Sequence, residues 1–164
     1  MKIGIYSDIH DNLEALEKAL AFFKTKGITE HIFCGDFCSP IPSRVIGENG
    51  ATTHCVFGNG DGDRFTIQKF ATNEFPNLIL YGEFAELNIE GRKIAVTHYP
   101  YYGEALALSG KYDVVLSGHT HEAHNTVIND TLWVNPGEIM GWKGSPTLAI
   151  YDCNTNTAEI VTIK

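Results

Sequence analysis

Seven side chains of metal-ligating type stand at or just past the ends of apolar runs: Asp8 and His10 after KIGIYS, Asp36 after EHIFC, Asn59 after TTHCVF, His98 after KIAVT, and His119 and His121 after YDVVLS. Four imidazoles, two carboxylates and one amide form a mixed nitrogen and oxygen donor set. Such a set suits Mn, Fe, Co, Ni or Zn better than Ca or Mg alone. Seven donors are too many for one ion. Two ions sharing a carboxylate use them economically, and Asp36, the carboxylate in the middle of the set, is the expected bridge. A pair of ions of this kind activates water and binds anionic oxygens. Taken singly, each residue has a plainer reading: Asp8 as a helix cap, Asn59-Gly60 as a tight turn, His98 as a hydrogen-bonded loop residue. The recurrence of donors at all five run ends favours a common site.

The elements that must position these residues alternate first and then become mostly strands. Residues 2–7 read as a strand, and 12–26 carry Leu13, Leu16, Leu20 and Phe23 on one helical face, with Asp11 and Glu14 as a capping box and Gly27 as the stop. Strands at 30–34 and 52–57 follow, with a short helix after Pro42 between them and helical character over 64–71. This βαβαβα order predicts parallel strands with crossover helices, whose carboxyl ends converge on one edge. Strands are then expected at 77–81, 83–89, 93–97, 112–117, 122–128, 131–135, 147–152 and 157–163. Glu90-Gly91, Asn129-Asp130 and Asn154-Thr155-Asn156 are the turns that join several of them as hairpins.

Composition sets outer bounds. A chain of 164 residues, 43% hydrophobic and 20% charged, fits one domain spanning 1–164. The net charge of −8 comes without a basic face, which argues against nucleic acid as a primary partner. The amino terminus has no room for the apolar stretch of a signal peptide, and no segment nears the ~18 apolar residues of a membrane span, so a cytoplasmic location without membrane partners is expected. Cys34, Cys38, Cys55 and Cys153 form no C-x-x-C pair and read as reduced thiols. The GNGDGD stretch has Arg64 where an EF-hand loop needs Gly, and Asp63 where a dinucleotide fingerprint needs its third Gly. His31, His54 and His124 read as structural, and Cys38, two residues past Asp36, as a lining residue.

SDIHDN at 7–12, GD at 35–36, GN at 58–59, TH at 97–98, GHTH at 118–121 and NPGE at 135–138 together resemble the calcineurin-like metallophosphoesterases, in particular their small YfcE-type phosphodiesterases. The resemblance covers nearly the whole chain. It implies an α/β fold, a four-layer αββα sandwich of two mixed sheets flanked by helices. It also implies a dinuclear site with one ion at Asp8, His10, Asp36 and His121 and the other at Asp36, Asn59, His98 and His119, manganese being favoured over Ni, Co, Zn or Fe. Asn12 would sit beside the substrate phosphate, so Asp36, Asn59, His98 and Asn12 carry the implied catalysis.

With two bridged cations, the expected reaction is attack of a metal-bridging hydroxide on a small phosphodiester. Phe37, Tyr99, Tyr101 and Tyr102 follow ligand positions, and Phe37 and Tyr99 are the aromatics expected against a base or aryl group. Larger family members place a His directly after the metal-binding Asn, where this chain has Gly60, so the general acid is unassigned; Asp61, Asp63 and His54 are alternatives for it. After His98 the chain reads Tyr-Pro where relatives often have Gly-His. A retromer subunit of the same fold works as a protein-binding scaffold, so a weak or inactive scaffold is the competing reading. Oligomeric state is open, with a homo-oligomer one alternative.

Overall fold

The computed structural model describes residues 1–163. Its first half is the expected alternation: β1 (Lys2–Tyr6), α1 (Leu13–Thr25), β2 (Glu30–Phe33), α2 (Pro40–Asn49), β3 (Thr52–Cys55), α3 (Arg64–Asn73) and β4 (Leu78–Leu80). The strands β1, β2, β3 and β4 pair in parallel, in that order. β10 (Thr147–Asp152) and β11 (Thr157–Thr162) extend the same sheet antiparallel on the free side of β1. The second sheet runs in the order β5 (Phe84–Ile89), β6 (Arg92–Thr97), β7 (Val114–Leu116), β9 (Thr131–Asn135), β8 (His124–Ile128). Its middle three strands are parallel and its two edge strands antiparallel.

Three separate apolar cores define four layers. Between the sheets, Ile3, Ile5 and Ile32 meet Ile94, Val96, Val114, Leu116 and Val134. On the far face of the first sheet, Tyr6 and Phe33 pack against Leu16, Leu20 and Phe23 of α1 and against Ile46 and Ile67 of the next two helices. Each fully buried side chain of this size contributes roughly 1.5–3 kcal/mol. Gly4 belongs to the same contact, because a Cβ there would lie 2.7 Å from the Phe23 ring. A small third core, Ala95, Val115 and Ala107, sits between the second sheet and α4 (Pro100–Leu108). The result is the expected αββα sandwich.

Local details differ from the sequence reading at three places. The N-cap of α1 is Asn12, whose Oδ1 accepts from the Ala15 N–H at 3.2 Å, not an Asp11–Glu14 box. Asp11 instead accepts from the backbone and hydroxyl of Ser39, tying the loop after β1 to the loop after β2. α2 starts two residues before Pro42, because Ser39 caps it and Pro40 fills its first turn. α4 is a helix that the reading lacked. It is short, with Gly103 and Ala107 its only buried residues, so it carries little amphipathic signal. Gly103 lets it lie close to the sheet, since a Cβ there would come within 2.9 Å of the Trp133 indole nitrogen. The turns at Glu90-Gly91 and Asn129-Asp130 do close hairpins, each with two residues at positive φ. Among the described residues, no helix is long and apolar enough to cross a membrane.

Candidate metal centre

The carboxyl ends of β1, β2 and β3 in one sheet and of β6 and β7 in the other meet at one edge of the sandwich, and the seven predicted donors meet there. Their ligand atoms form a continuous run. His121 Nε2 lies 3.3 Å from Asp8 Oδ1, which is 3.7 Å from His10 Nε2. His10 Nε2 and His98 Nε2 stand 3.3 and 3.4 Å from the same oxygen, Asp36 Oδ2. His98 Nε2 is also 3.2 Å from Asn59 Oδ1 and 3.3 Å from His119 Nδ1. Donors about 2.1 Å from a shared ion are spaced about 3.0–3.4 Å apart, so nearly every step in the run has the separation of two ligands on one cation. Asp36 Oδ2 is the atom that faces both halves.

The donor atoms are aimed by what their other atoms bind. His98 Nδ1–H donates to the Cys34 carbonyl at 2.8 Å and His10 Nδ1 lies 3.1 Å from Cys38 Sγ, which leaves each Nε2 lone pair facing inward. His121 Nδ1–H donates to Glu138 at 2.5 Å, while the other Glu138 oxygen accepts from the Lys143 backbone N–H. Asp36 Oδ1 accepts from the Gly60 N–H at 2.7 Å, and Asp8 Oδ2 from the His119 N–H at 3.0 Å. Asp61, buried behind the loops, accepts from the backbone N–H groups of Asp36, Cys38 and Gly58 and so fixes the path of two ligand loops at once.

Backbone conformation concentrates strain at the same place. Asp8, His10, Asp36, His119 and His121 all have positive φ, between 44° and 73°. Asp and His tolerate the left-handed region better than most residues, yet each such position costs of order 1–3 kcal/mol, and such costs cluster at functional sites. The glycines of the motifs serve close approach. A Cβ at Gly58 would fall 2.1 Å from Asp36 Oδ1, and one at Gly118 would fall 2.1 Å from Ser7 Oγ.

Electrostatics fit cations. Asp8, Asp36, Asp61 and Glu138 are all buried, and among the described residues the only side-chain cations that pair with them are imidazoles. Among the described residues, Asp8 Oδ1 and His10 Nε2 are buried without any hydrogen-bond partner. A buried carboxylate oxygen and ring nitrogen left bare are costly, and a shared divalent ion satisfies both. Burial pushes the Asp36 carboxyl up, but the His98 ring, the Gly60 N–H and His10 more than offset it and hold it below its ordinary value. The same field acts in reverse on the histidines. Burial lowers His98, but Asp36 and Asp8 outweigh it and raise its pKa, while His10 is raised first by the neighbouring Asp8 carboxylate. Divalent ions compete for these lone pairs with protons.

Other expected site residues fall differently. Tyr99 is half-buried, with its ring 5.4 Å from that of His98 and 5.9 Å from that of His119, so it borders the centre. Phe37 does not: it is fully buried in the core beneath α1 and α2, 4.3 Å from the Phe33 ring, and cannot reach a ligand. Its side chain points away from the edge because the loop turns at Asp36 and Cys38. Asn12 has both amide atoms engaged, Oδ1 as the α1 cap and Nδ2 donating to the Met140 carbonyl at 2.8 Å, so contact with a phosphate requires breaking one of these bonds. Asp63 caps α3, and His54 is held between Tyr81 and Glu30. His31 and His124 lie in strands, packed on aromatic rings. Glu138 was the missed residue. Its signal is an acid in NPGE, three residues after the end of β9.

A family model described as the calcineurin-like phosphoesterase superfamily domain matches residues 1–156. Phosphodiesterase MJ0936 of Methanocaldococcus jannaschii is 36% identical over 155 residues, covering 93% of each chain. Phosphodiesterase YfcE of Escherichia coli K12 is 24% identical over 151 residues, covering 88% of this chain and 82% of YfcE. A solved archaeal phosphodiesterase superposes with a TM-score of 0.92 at 33% identity, over 99% of this chain and all of its own. Vps29 of Entamoeba histolytica, solved as a zinc complex, shares the fold at a TM-score of 0.67 and 18% identity, each chain being fully covered.

Proposed function

The chain belongs to the calcineurin-like phosphoesterase superfamily and is a hydrolase acting on phosphate esters, and from that premise we propose that it is a metal-dependent phosphodiesterase cleaving a small diester at a dinuclear centre. The observation that carries the reading is Asp36 Oδ2, 3.3 Å from His10 Nε2 and 3.4 Å from His98 Nε2, between two sets of inward-facing donors. One set is Asp8, His10 and His121; the other is Asn59, His98 and His119. When bound, two divalent transition cations, manganese foremost, supply Lewis acidity and bring the ionisation of water toward neutral pH.

The chain's own residues do the rest. Asp36 carries negative charge between the two halves and holds its second oxygen on the Gly60 N–H, so its orientation is fixed before substrate arrives. The imidazoles contribute donors without adding negative charge, which leaves the centre able to accept an anionic ester despite a net charge of −8. Glu138 holds His121 in the tautomer that binds through Nε2. Gly60 offers no side chain to protonate a leaving oxygen, and both oxygens of Asp61 accept backbone N–H groups.

The scaffold reading is weighed by turnover and not by metal content, because a zinc complex is also known for Vps29. Chelator-stripped protein reloaded with manganese is expected to hydrolyse bis-p-nitrophenyl phosphate, and Asp36→Asn to lose both metal content and rate while His124→Gln keeps both. Full metal content and rate in Asp36→Asn would remove the bridge. Absence of turnover with Mn, Ni, Co, Zn and Fe would favour the scaffold.

A further inference from the structure

Beside the ligand edge lies an open cavity of about 500 Å³ between the start of β5 and the outer face of α4, inside the ~300–1,000 Å³ range of small-molecule sites. Its walls are Phe84 on one side and Tyr99, Tyr102 and Leu106 on the other, with Glu83 at the rim. Phe84 and Tyr102 are about half exposed, which is unusual for side chains with so much apolar surface. Tyr99 belongs to both places. Its ring packs against those of His98 and His119 and also lines the cavity. The rim is tied to the ligand loop as well: Arg64 donates to Glu83 at 2.9 Å and to the carbonyl of Gly58, next to Asn59, at 2.7 Å. A hollow of about 580 Å³ among Glu86, Lys93 and Lys111 shares no residue with the ligand set and lies toward the other end of β6.

We infer that the cavity walled by Phe84, Tyr99 and Tyr102 is a subsite that receives an aromatic ester substituent, an aryl ring or nucleobase, of the phosphate ester held at the adjoining centre. The inference rests on the phosphoesterase reading of that centre. Three aromatic rings around a volume large enough for a mono- or bicyclic ring supply stacking faces. Glu83 gives one oxygen to Arg64, and its other oxygen at the rim is an acceptor for a ring that bears N–H donors.

Calorimetric titration of the manganese-loaded chain with inorganic phosphate and with phenyl phosphate, at a pH where both are dianions, tests it, because only the second carries the ring. Phenyl phosphate is expected to bind about tenfold tighter, within the range of one aromatic stacking contact. Ala105 is exposed at the cavity wall, so Ala105→Trp fills the cavity without entering the core. It should abolish the tenfold preference and leave phosphate affinity within twofold. Phe84→Ala, on the opposite wall, should reduce the preference at least threefold. Equal affinity of the wild type for both ligands, or a preference that survives in both variants, overturns the subsite while leaving the metal centre standing. Failure of phosphate itself to bind removes the centre and the subsite with it. A variant that changes the mass in solution but not the preference makes this face a contact between copies, which also overturns the proposal.

Discussion

Replacing His31 with Leu should remove a defined part of the protein's acid sensitivity. His31 lies in β2, the strand that leads to Asp36, and is 1% exposed, with its ring 4.7 Å from that of Phe23 and neither ring nitrogen hydrogen-bonded by a side chain. Burial lowers its pKa from the ordinary value of 6.5 to about 4. The unfolded chain therefore binds a proton that the folded chain refuses between these two values. Stability from this residue is complete above pH 6.5 and is lost as pH falls toward 4. Integrating the linkage relation from pH 7.5 to pH 4.5 gives a loss of about 2.5 kcal/mol from His31 alone. Leu has nearly the volume of the imidazole and does not titrate, so His31→Leu should lose about 2.5 kcal/mol less than the wild type over that interval. Urea unfolding in chelator at the two pH values reads the difference as about 1 M in relative midpoint shift, for a typical slope of ~2 kcal/mol per molar. Parallel stability curves for the two proteins would refute the reasoning.

Glu138→Gln keeps one acceptor oxygen for two donors, so manganese affinity measured by chelator competition should fall about 10- to 100-fold, and unchanged affinity would mean that His121 needs no such support. With no acid at Gly60, and with Asp61, Asp63 and His54 held by other bonds, log kcat/KM for methyl aryl phosphodiesters should fall steeply with leaving-group pKa. A flat line with chemistry rate-limiting would mean that a positioned acid is present, since such a group contributes ~10²–10⁴-fold. Gly118→Ala places a methyl 2.1 Å from Ser7 Oγ, so metal content should drop, and a variant with normal metal content and thermal midpoint would show that the two sheet edges can part there without cost.

Most of the strand framework was legible because alternation and apolar runs are dense: all eleven strands and the three closing hairpins correspond to runs and turns visible in the chain. The donor set was legible for a topological reason, since parallel strands deliver their carboxyl ends to one edge. What escaped was set by packing. The helix over Pro100–Leu108 shows only Gly103 and Ala107 to the core, too few apolar positions for a periodic signal. Phe37 follows a ligand in sequence, but positive φ at Asp36 and Cys38 turns its ring into the core, and no spacing rule contains that. Asn12 has the chemistry of a phosphate contact and also of a helix cap, and the fold uses it as the cap. Gly60 follows the ligand Asn59 in a Gly-rich turn. Its φ lies outside the left-handed region, and what restricts it is space, a Cβ being 3.1 Å from the Asp36 carboxyl.

The placement of the donors on two sheets explains why strain and burial gather at this edge. Asp8, His10, Asp36 and Asn59 come from the first sheet and His98, His119 and His121 from the second, so the centre exists only while the two edges stay in register. Backbone bonds hold that register: Ile139 N–H to the Ser7 carbonyl and Met140 N–H to that of Asp8. The bond from His119 N–H to Asp8 Oδ2 crosses the seam directly. Beneath them the isoleucine and valine core between the sheets supplies cohesive energy that opposes the strain of five ligands at positive φ. A loosening of the inter-sheet core is thus expected to act on the centre as a whole, separating one half of the donor set from the other, whereas loss of α1 packing acts on Asp8 and His10 alone.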